Sequence, residues 1–272
     1  MSLKNAIKQS CDIYFYEVAR LLGVDRLNKT AEMFGLGKKV LGEYYSNEKG
    51  GLFPSTKWKK KVIGQNWYLG ETFITGIGQG YIKINPLQMC LMTAQLANGG
   101  YKIYPRITVK KYQDTVEQIK NKMQQASKVF KEKDNSIFKT TERFFETKTK
   151  EYTPLFKNQE NIKFVLDAMF KSTNELYGTS YKSRIEDPKY QFAGKTGTSQ
   201  VKRITIEERE SEDFRKKELE WKDKDHSLFV GYAPAEKPKF AVSVVVEHGG
   251  SGAKVAAPIA KNIFDGIYKL GI

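Results

Sequence analysis

Cysteine and histidine are scarce: 2 of each in 272 residues. Cys11 and Cys90 stand far apart with no CxxC, which argues against a disulfide framework and leaves no pattern for a metal or cofactor. Long apolar runs are also missing. No stretch approaches the roughly 18 residues that a membrane helix needs, and no signal-peptide pattern opens the chain. Instead MSLKNAIKQSCDIYFYEVARLLG runs almost at once into amphipathic helical sequence. The expectation is therefore a natural chain that extends upstream, where a targeting or anchoring segment would lie.

What is present suits a packed domain. The apolar fraction of 40% is ample for a core, while 46 basic against 31 acidic residues give a formal charge of +15. Such a surplus steers polyanions toward a surface without naming one. The lysines are spread over 57–61, 102–150 and on to 224, often among acids, rather than gathered in an arginine-rich stripe with interleaved aromatics. That distribution reads as a solvated basic surface with no nucleic-acid partner.

Periodicity predicts helices over 13–22 and about 25–34. In the first, Ile13, Tyr14, Val18, Leu21 and Leu22 share a face, and Gly23 stops the helix. Residues 35–83, rich in glycine and holding Trp58, Trp67 and Tyr68, read as loops. In 85-NPLQMCLMTAQLANGG-100, Asn85 caps, Pro86 takes the first helical position and Gly99 closes. The polar stretch around 110–150 reads as a surface insertion. Another helix follows over 159–173, with Ile162, Val165, Leu166, Met169 and Phe170 on one face. The period then changes: FAGKTGTSQV, HSLFVGYAP and KFAVSVVVEHG read as three strands, with a charged helical connection around 207–224 between the first two. A terminal helix over 255–270 would cover the sheet with Ile259, Ile263, Ile267 and Leu270. Helices first, then an antiparallel sheet and a closing helix make an α+β class.

The stretch 193-AGKTGTSQV-201 admits two chemistries. A phosphate loop GxxxxGK[ST] needs a glycine five positions before Gly194, where Lys189 stands. It should also enter a helix after the Thr, and Gly197, Thr198 and Ser199 are poor helix formers. The cluster 76-GIGQG-80 likewise lacks the spacing and the preceding strand of a dinucleotide loop. The alternative is a strand lining a pocket, with Lys195 and the Thr hydroxyls facing a carboxylate, backbone N–H groups facing a substrate carbonyl, and Gly197 allowing close approach. That KTG element accompanies SxxK and SDN-type elements in penicillin-recognising enzymes. A second element is 10-SCD-12; in isolation its plain reading is an N-cap for the helix that follows.

Taken in order, SCDIYFYEVA (10–19), GIGQGY (76–81), NPLQM (85–89), LANGG (96–100), AGKTGTSQ (193–200) and DHSLFVGYAP (225–234) resemble the transpeptidase domain of class B penicillin-binding proteins, most closely the elongation-type penicillin-binding protein 2 group. The resemblance covers nearly all of the chain outside 110–150 and 207–224. It implies the penicillin-binding protein and serine β-lactamase-like fold, incomplete at its N-terminus, with residues 1–272 as one transpeptidase-domain fragment. By it, Ser10 is a proton-relay group, Asp12 binds the substrate amide, and Lys195, Thr196 and Gly197 form the KTG wall. Thr198 lends its N–H to an oxyanion hole and its hydroxyl to the terminal carboxylate. Asp225 and His226 match a family block without a chemical role. Since lysine serves as base in such sites, His226 and His248 need none either.

The resemblance also implies an SxxK segment, holding the nucleophilic serine and its lysine, some tens of residues before SxN. Only nine residues precede Ser10, and the string 136-SIFK-139 lies in the polar insertion, so Ser136 is a poor nucleophile candidate. The implied parent is a serine-type D-Ala-D-Ala transpeptidase at the periplasmic face of the bacterial inner membrane. It would act on peptidoglycan stem peptides, be acylated by β-lactams, use no cofactor, and work beside cell-elongation membrane proteins including a glycosyltransferase. Without its SxxK segment the chain is expected to be inert, and marginal or oligomeric. Rival readings are a penicillin-recognising hydrolase or sensor, separable by deacylation rate, and a basic non-enzymatic binding module, separable by salt-dependent DNA binding.

Overall fold

A computed structural model of the chain describes residues 1–41, 45, 47–105, 153–202 and 220–271. Its centre is an antiparallel sheet in the order β1 (Ala193–Ser199), β2 (His226–Ala233) and β3 (Phe240–Val246). The register pairs Lys195 with Val230 and Thr198 with Ser227, and among the described residues no strand pairs with the far side of β1, which forms the outer edge. Apolar side chains alternate between the two faces, as the pleat dictates. Phe192, Phe229 and Val244 pack with α8 (Ala256–Lys269) on one face. Met169, Ala193 and Tyr232 pack on the other, toward α6 (Pro86–Ala97) and α7 (Gln159–Asn174).

The N-terminal part is helical: α1 (Leu3–Gln9), α2 (Asp12–Leu22), α3 (Val24–Met33), α4 (Thr56–Val62) and α5 (Leu69–Gly76). The capping box predicted for α6 forms: Asn85 Oδ1 accepts from the Gln88 N–H at 2.8 Å, and Gln88 accepts in return. α7 buries Ile162 and Met169, as its periodicity predicts.

Three expectations are corrected. The 35–83 segment carries α4 and α5; Ser55 caps α4, while Glu71 accepts from the Tyr68 N–H at 2.8 Å at the start of α5. The predicted apolar face of α2 does not enter a described core, since Ile13 and Leu21 are 79% and 64% exposed. α2 instead packs on α5 through Ala19, so closely that a Cβ at Gly76 would lie 2.4 Å from the Ala19 Cβ. In α8 the sheet-facing residues are Ala256, Ala257, Ala260 and Phe264; of the four predicted, Ile267 packs against this core, while Ile259, Ile263 and Leu270 are exposed. Small residues let that helix sit close to the strands, a choice that counting bulky aliphatics overlooks. Most of the 207–224 connection and all of 110–150, with Ser136, lie outside the described residues. Among those described, no helix is long and apolar enough to cross a membrane, and no cluster of three or more His, Cys, Asp or Glu could hold a metal ion.

Candidate active site

β1 gives the site its wall. The strand ends beside an open cleft of about 580 Å³ whose lining includes Ser10, Asp12, Lys195, Thr196, Gly197 and Thr198. All six predicted residues thus meet at one place, although Ser10 and Lys195 are 185 positions apart.

Ser10 reaches the cleft through an uncommon backbone conformation. It closes α1 with φ 53° and ψ 55°, in the left-handed region that L-residues enter only at a cost. Its N–H donates to the Ile7 carbonyl at 3.3 Å, and its Oγ accepts a hydrogen bond from the Lys195 Nζ. The N-cap reading of 10-SCD-12 is corrected here: Cys11 occupies the cap of α2 without a side-chain bond, and Asp12 is the first helical residue. A carboxylate in a first helical turn faces the positive end of the helix dipole.

Lys195 also donates to the Thr196 carbonyl at 2.9 Å. Its residue-level exposure is intermediate, yet protein atoms surround the ammonium closely enough that desolvation lowers its pKa from 10.5 to about 8, with the Asp12 charge acting in the opposite direction. At neutral pH about a tenth of such a group is the free amine, a form able to accept a proton. Thr196 Oγ1 donates to Thr179 Oγ1 at 3.0 Å, which in turn lies 3.1 Å from Ser172 Oγ. This hydroxyl chain ties the middle of β1 to α7.

Thr198 is exposed, and its carbonyl accepts from Gln79 Nε2 at 2.7 Å. In an extended strand the N–H and C=O of one residue point to the same edge, so the Thr198 N–H faces the cleft as well. A glycine is required opposite: a Cβ on Gly252 would sit 2.4 Å from the Gly197 carbonyl oxygen. Asp225 lines the cleft but accepts from the Val201 N–H at 3.2 Å, and so holds the strand end. His226 Nδ1 accepts from the His248 N–H at 2.9 Å; the two rings stack edge to face outside the cleft lining.

Several lining residues were not singled out from sequence, among them Gln79, Thr179 and Ser251. Gln79 sits inside the quoted GIGQGY block, a signal that gave it no role. Ser251 begins another SxxK string, 251-SGAK-254, on the cleft rim. Its backbone carbonyl accepts from Ser227 Oγ at 3.1 Å, and no hydrogen bond joins its hydroxyl to Lys254.

Comparison with known proteins shows the family. Residues 1–265 match the family model described as penicillin binding protein transpeptidase domain. The chain is 33% identical over 263 residues to the peptidoglycan D,D-transpeptidase MrdA of Acinetobacter baumannii, covering 95% of this chain and 34% of that protein. It is 28% identical over 267 residues to MrdA of Escherichia coli K12, covering 98% and 37%. It therefore spans only about a third of the length of these relatives. Among solved structures, penicillin-binding protein 2 of Pseudomonas aeruginosa in complex with WCK 5153 superposes with a TM-score of 0.71 at 34% identity, covering 98% of this chain and 49% of that one. Helicobacter pylori penicillin-binding protein 2, in complex with MreC, gives 0.73 at 26% identity, covering 100% and 41%. The chain belongs to the penicillin-binding protein transpeptidase domain family, in its class B branch of penicillin-binding protein 2 and MrdA type.

Proposed function

We propose that this chain forms the larger part of a peptidoglycan D,D-transpeptidase site, in a parent protein that faces the periplasm and works with elongation-machinery partners. The observation that carries the reading is the buried Lys195 ammonium donating to Ser10 Oγ at the foot of an open strand edge. In this reaction a serine attacks the penultimate D-Ala carbonyl, the terminal D-Ala leaves with a proton, and the acyl group passes to an amine of a second strand. Ser10 and Lys195 suit proton relay, because a lysine with its pKa near 8 can both hold and yield a proton close to neutral pH. Asp12 suits the substrate amide. Thr198 suits the oxyanion through its N–H and the terminal carboxylate through its hydroxyl. β-Lactams would acylate the same serine.

The nucleophile, in this reading, is a serine of an SxxK segment outside the 272 residues. Labelling with a fluorescent penicillin, read on a denaturing gel, tests it on this chain and on one lengthened upstream by about a hundred residues of the parent protein. Labelling of the longer chain alone is the expected result. Labelling of the 272-residue chain would move the nucleophile to Ser136, Ser10 or Ser251. No labelling of a folded longer chain would remove the acyl-transfer reading.

A further inference from the structure

Gln79 lines the cleft, yet the acyl-transfer chemistry leaves it without a task. Its side chain crosses 119 positions of sequence to grip the outer edge of β1 twice: Nε2 donates to the Thr198 carbonyl at 2.7 Å, and Oε1 accepts from the Gln200 N–H at 3.2 Å. A primary amide in this orientation satisfies both groups at once, because the strand offers one acceptor and one donor. A glutamine amide is a peptide group in miniature, so Gln79 pairs with β1 much as a neighbouring strand would.

The backbone around it is made to turn. α5 ends at Gly76, pinned against Ala19 of α2; the chain then passes through Gly78 at φ +81° and Gly80 at φ +79°, with Gln79 between them. The Gly78 N–H donates to the Thr75 carbonyl and the Gln79 N–H to the Ile74 carbonyl, both at 3.0 Å, and nothing lies within 4 Å of where a Gly78 Cβ would stand. Gly78, left-handed and beside open space, gives this turn room to move, whereas a Cβ at Gly80 would lie 3.3 Å from the Ile74 side chain.

We propose that Gln79 is a gate on the donor-peptide site, standing in for the peptide while the site is empty and swinging out when it arrives. The inference rests on the transpeptidase reading, in which an extended peptide adds to the outer edge of β1 and pairs with Thr198. The peptide N–H needs the carbonyl that Gln79 holds. Strand edges left bare invite unwanted pairing, and a tethered amide covers this one without a large barrier, since solvent-accessible hydrogen bonds are exchanged at small net cost. Closure reduces apparent affinity by the fraction of molecules that are open.

The test titrates the isotope-labelled 272-residue chain with N-acetyl-L-Lys-D-Ala-D-Ala, following Kd, association rate and hydrogen exchange of the Gln79 side-chain amide by NMR. The variants are Gln79→Ala and Gln79→Met, the second keeping side-chain volume. For a closed population of roughly two-thirds to nine-tenths, both should bind about three- to tenfold more tightly, through faster association. In the wild-type complex the Gln79 amide should lose its protection. A gain in Gln79→Met alone would also support the gate, with Gln79→Ala suffering from lost packing. Unchanged or weaker binding in both variants, with the amide still protected in the wild-type complex, would make Gln79 a fixed strut and overturn the gate. A peptide that binds none of the three proteins, each shown by its NMR spectrum to be folded, would remove the peptide-site reading, and the gate with it.

Discussion

Burial of one lysine sets a measurable pH dependence. Lys195 has an ordinary pKa of 10.5 when unfolded and about 8 when folded, the drop coming from desolvation. Below pH 8 both states hold the proton and the folded state bears the full cost of enclosing the charge. Between 8 and 10.5 only the unfolded chain keeps it, so raising the pH favours folding; above 10.5 the effect is complete. The difference in urea-derived stability, wild type minus Lys195→Met, should therefore rise by about 3 kcal/mol across that window. A flat difference would show that the ammonium is well solvated. Asp12→Asn should move the onset to lower pH, because the Asp12 charge acts to raise the Lys195 pKa. Lys195 was legible from its KTGT string; Ser10 and Asp12 were legible only through the family resemblance, because 10-SCD-12 alone reads as an N-cap. The left-handed backbone of Ser10 was not, since no glycine or asparagine marks it.

Among the elements, α4 and α5 escaped the sequence reading for a physical reason. They are 7 and 8 residues long, too short for an isolated helix to be stable or for periodicity to show. What joins them is an ion pair. Lys59 is 1% exposed, its Nζ lies 2.5 Å from Glu71 Oε1, and the ammonium sits 4.6 Å from the centre of the Tyr68 ring, with Trp67 and Tyr81 also near. Burial alone would raise the Glu71 pKa; the Lys59 hydrogen bond and the Tyr68 N–H outweigh it and hold the carboxyl below its usual range. Glu71→Gln should cost about 2–4 kcal/mol in urea unfolding, because a buried charge loses its counterion and keeps only the ring faces. The double variant Lys59→Met/Glu71→Leu should lose less than the single one, since it leaves no charge behind. If the single variant proved neutral, the rings alone would be balancing the ammonium. Because α5 carries the turn that bears Gln79, this pair supports the cleft from outside it.

At the scale of the whole molecule, the site exists only where the N-terminal helix α1 meets α7 and β1 from far along the chain. α1 docks on α7 through Ala6, fully buried, flanked by Lys4 with Asp167 at 2.5 Å and Lys8 with Glu175 at 2.9 Å. The Thr179 N–H donates to the Lys8 carbonyl at 3.2 Å, and Thr179 in turn accepts from Thr196 on β1. Ser10 follows directly, so the position of its hydroxyl depends on how closely α1 lies against α7. The surface ion pairs add little to that docking, whereas the missing side-chain volume at Ala6 decides the approach. Ala6→Leu should therefore cost about 1–3 kcal/mol through overpacking. Its effect should also reach Lys195. As α1 is pushed outward, Ser10 Oγ leaves the ammonium and water enters, so the Lys195 pKa should climb from about 8 toward 10.5. NMR titration of the lysine side chain reads that shift directly. A variant that loses stability while the Lys195 pKa stays near 8 would show that β1 and α2 enclose the lysine without α1.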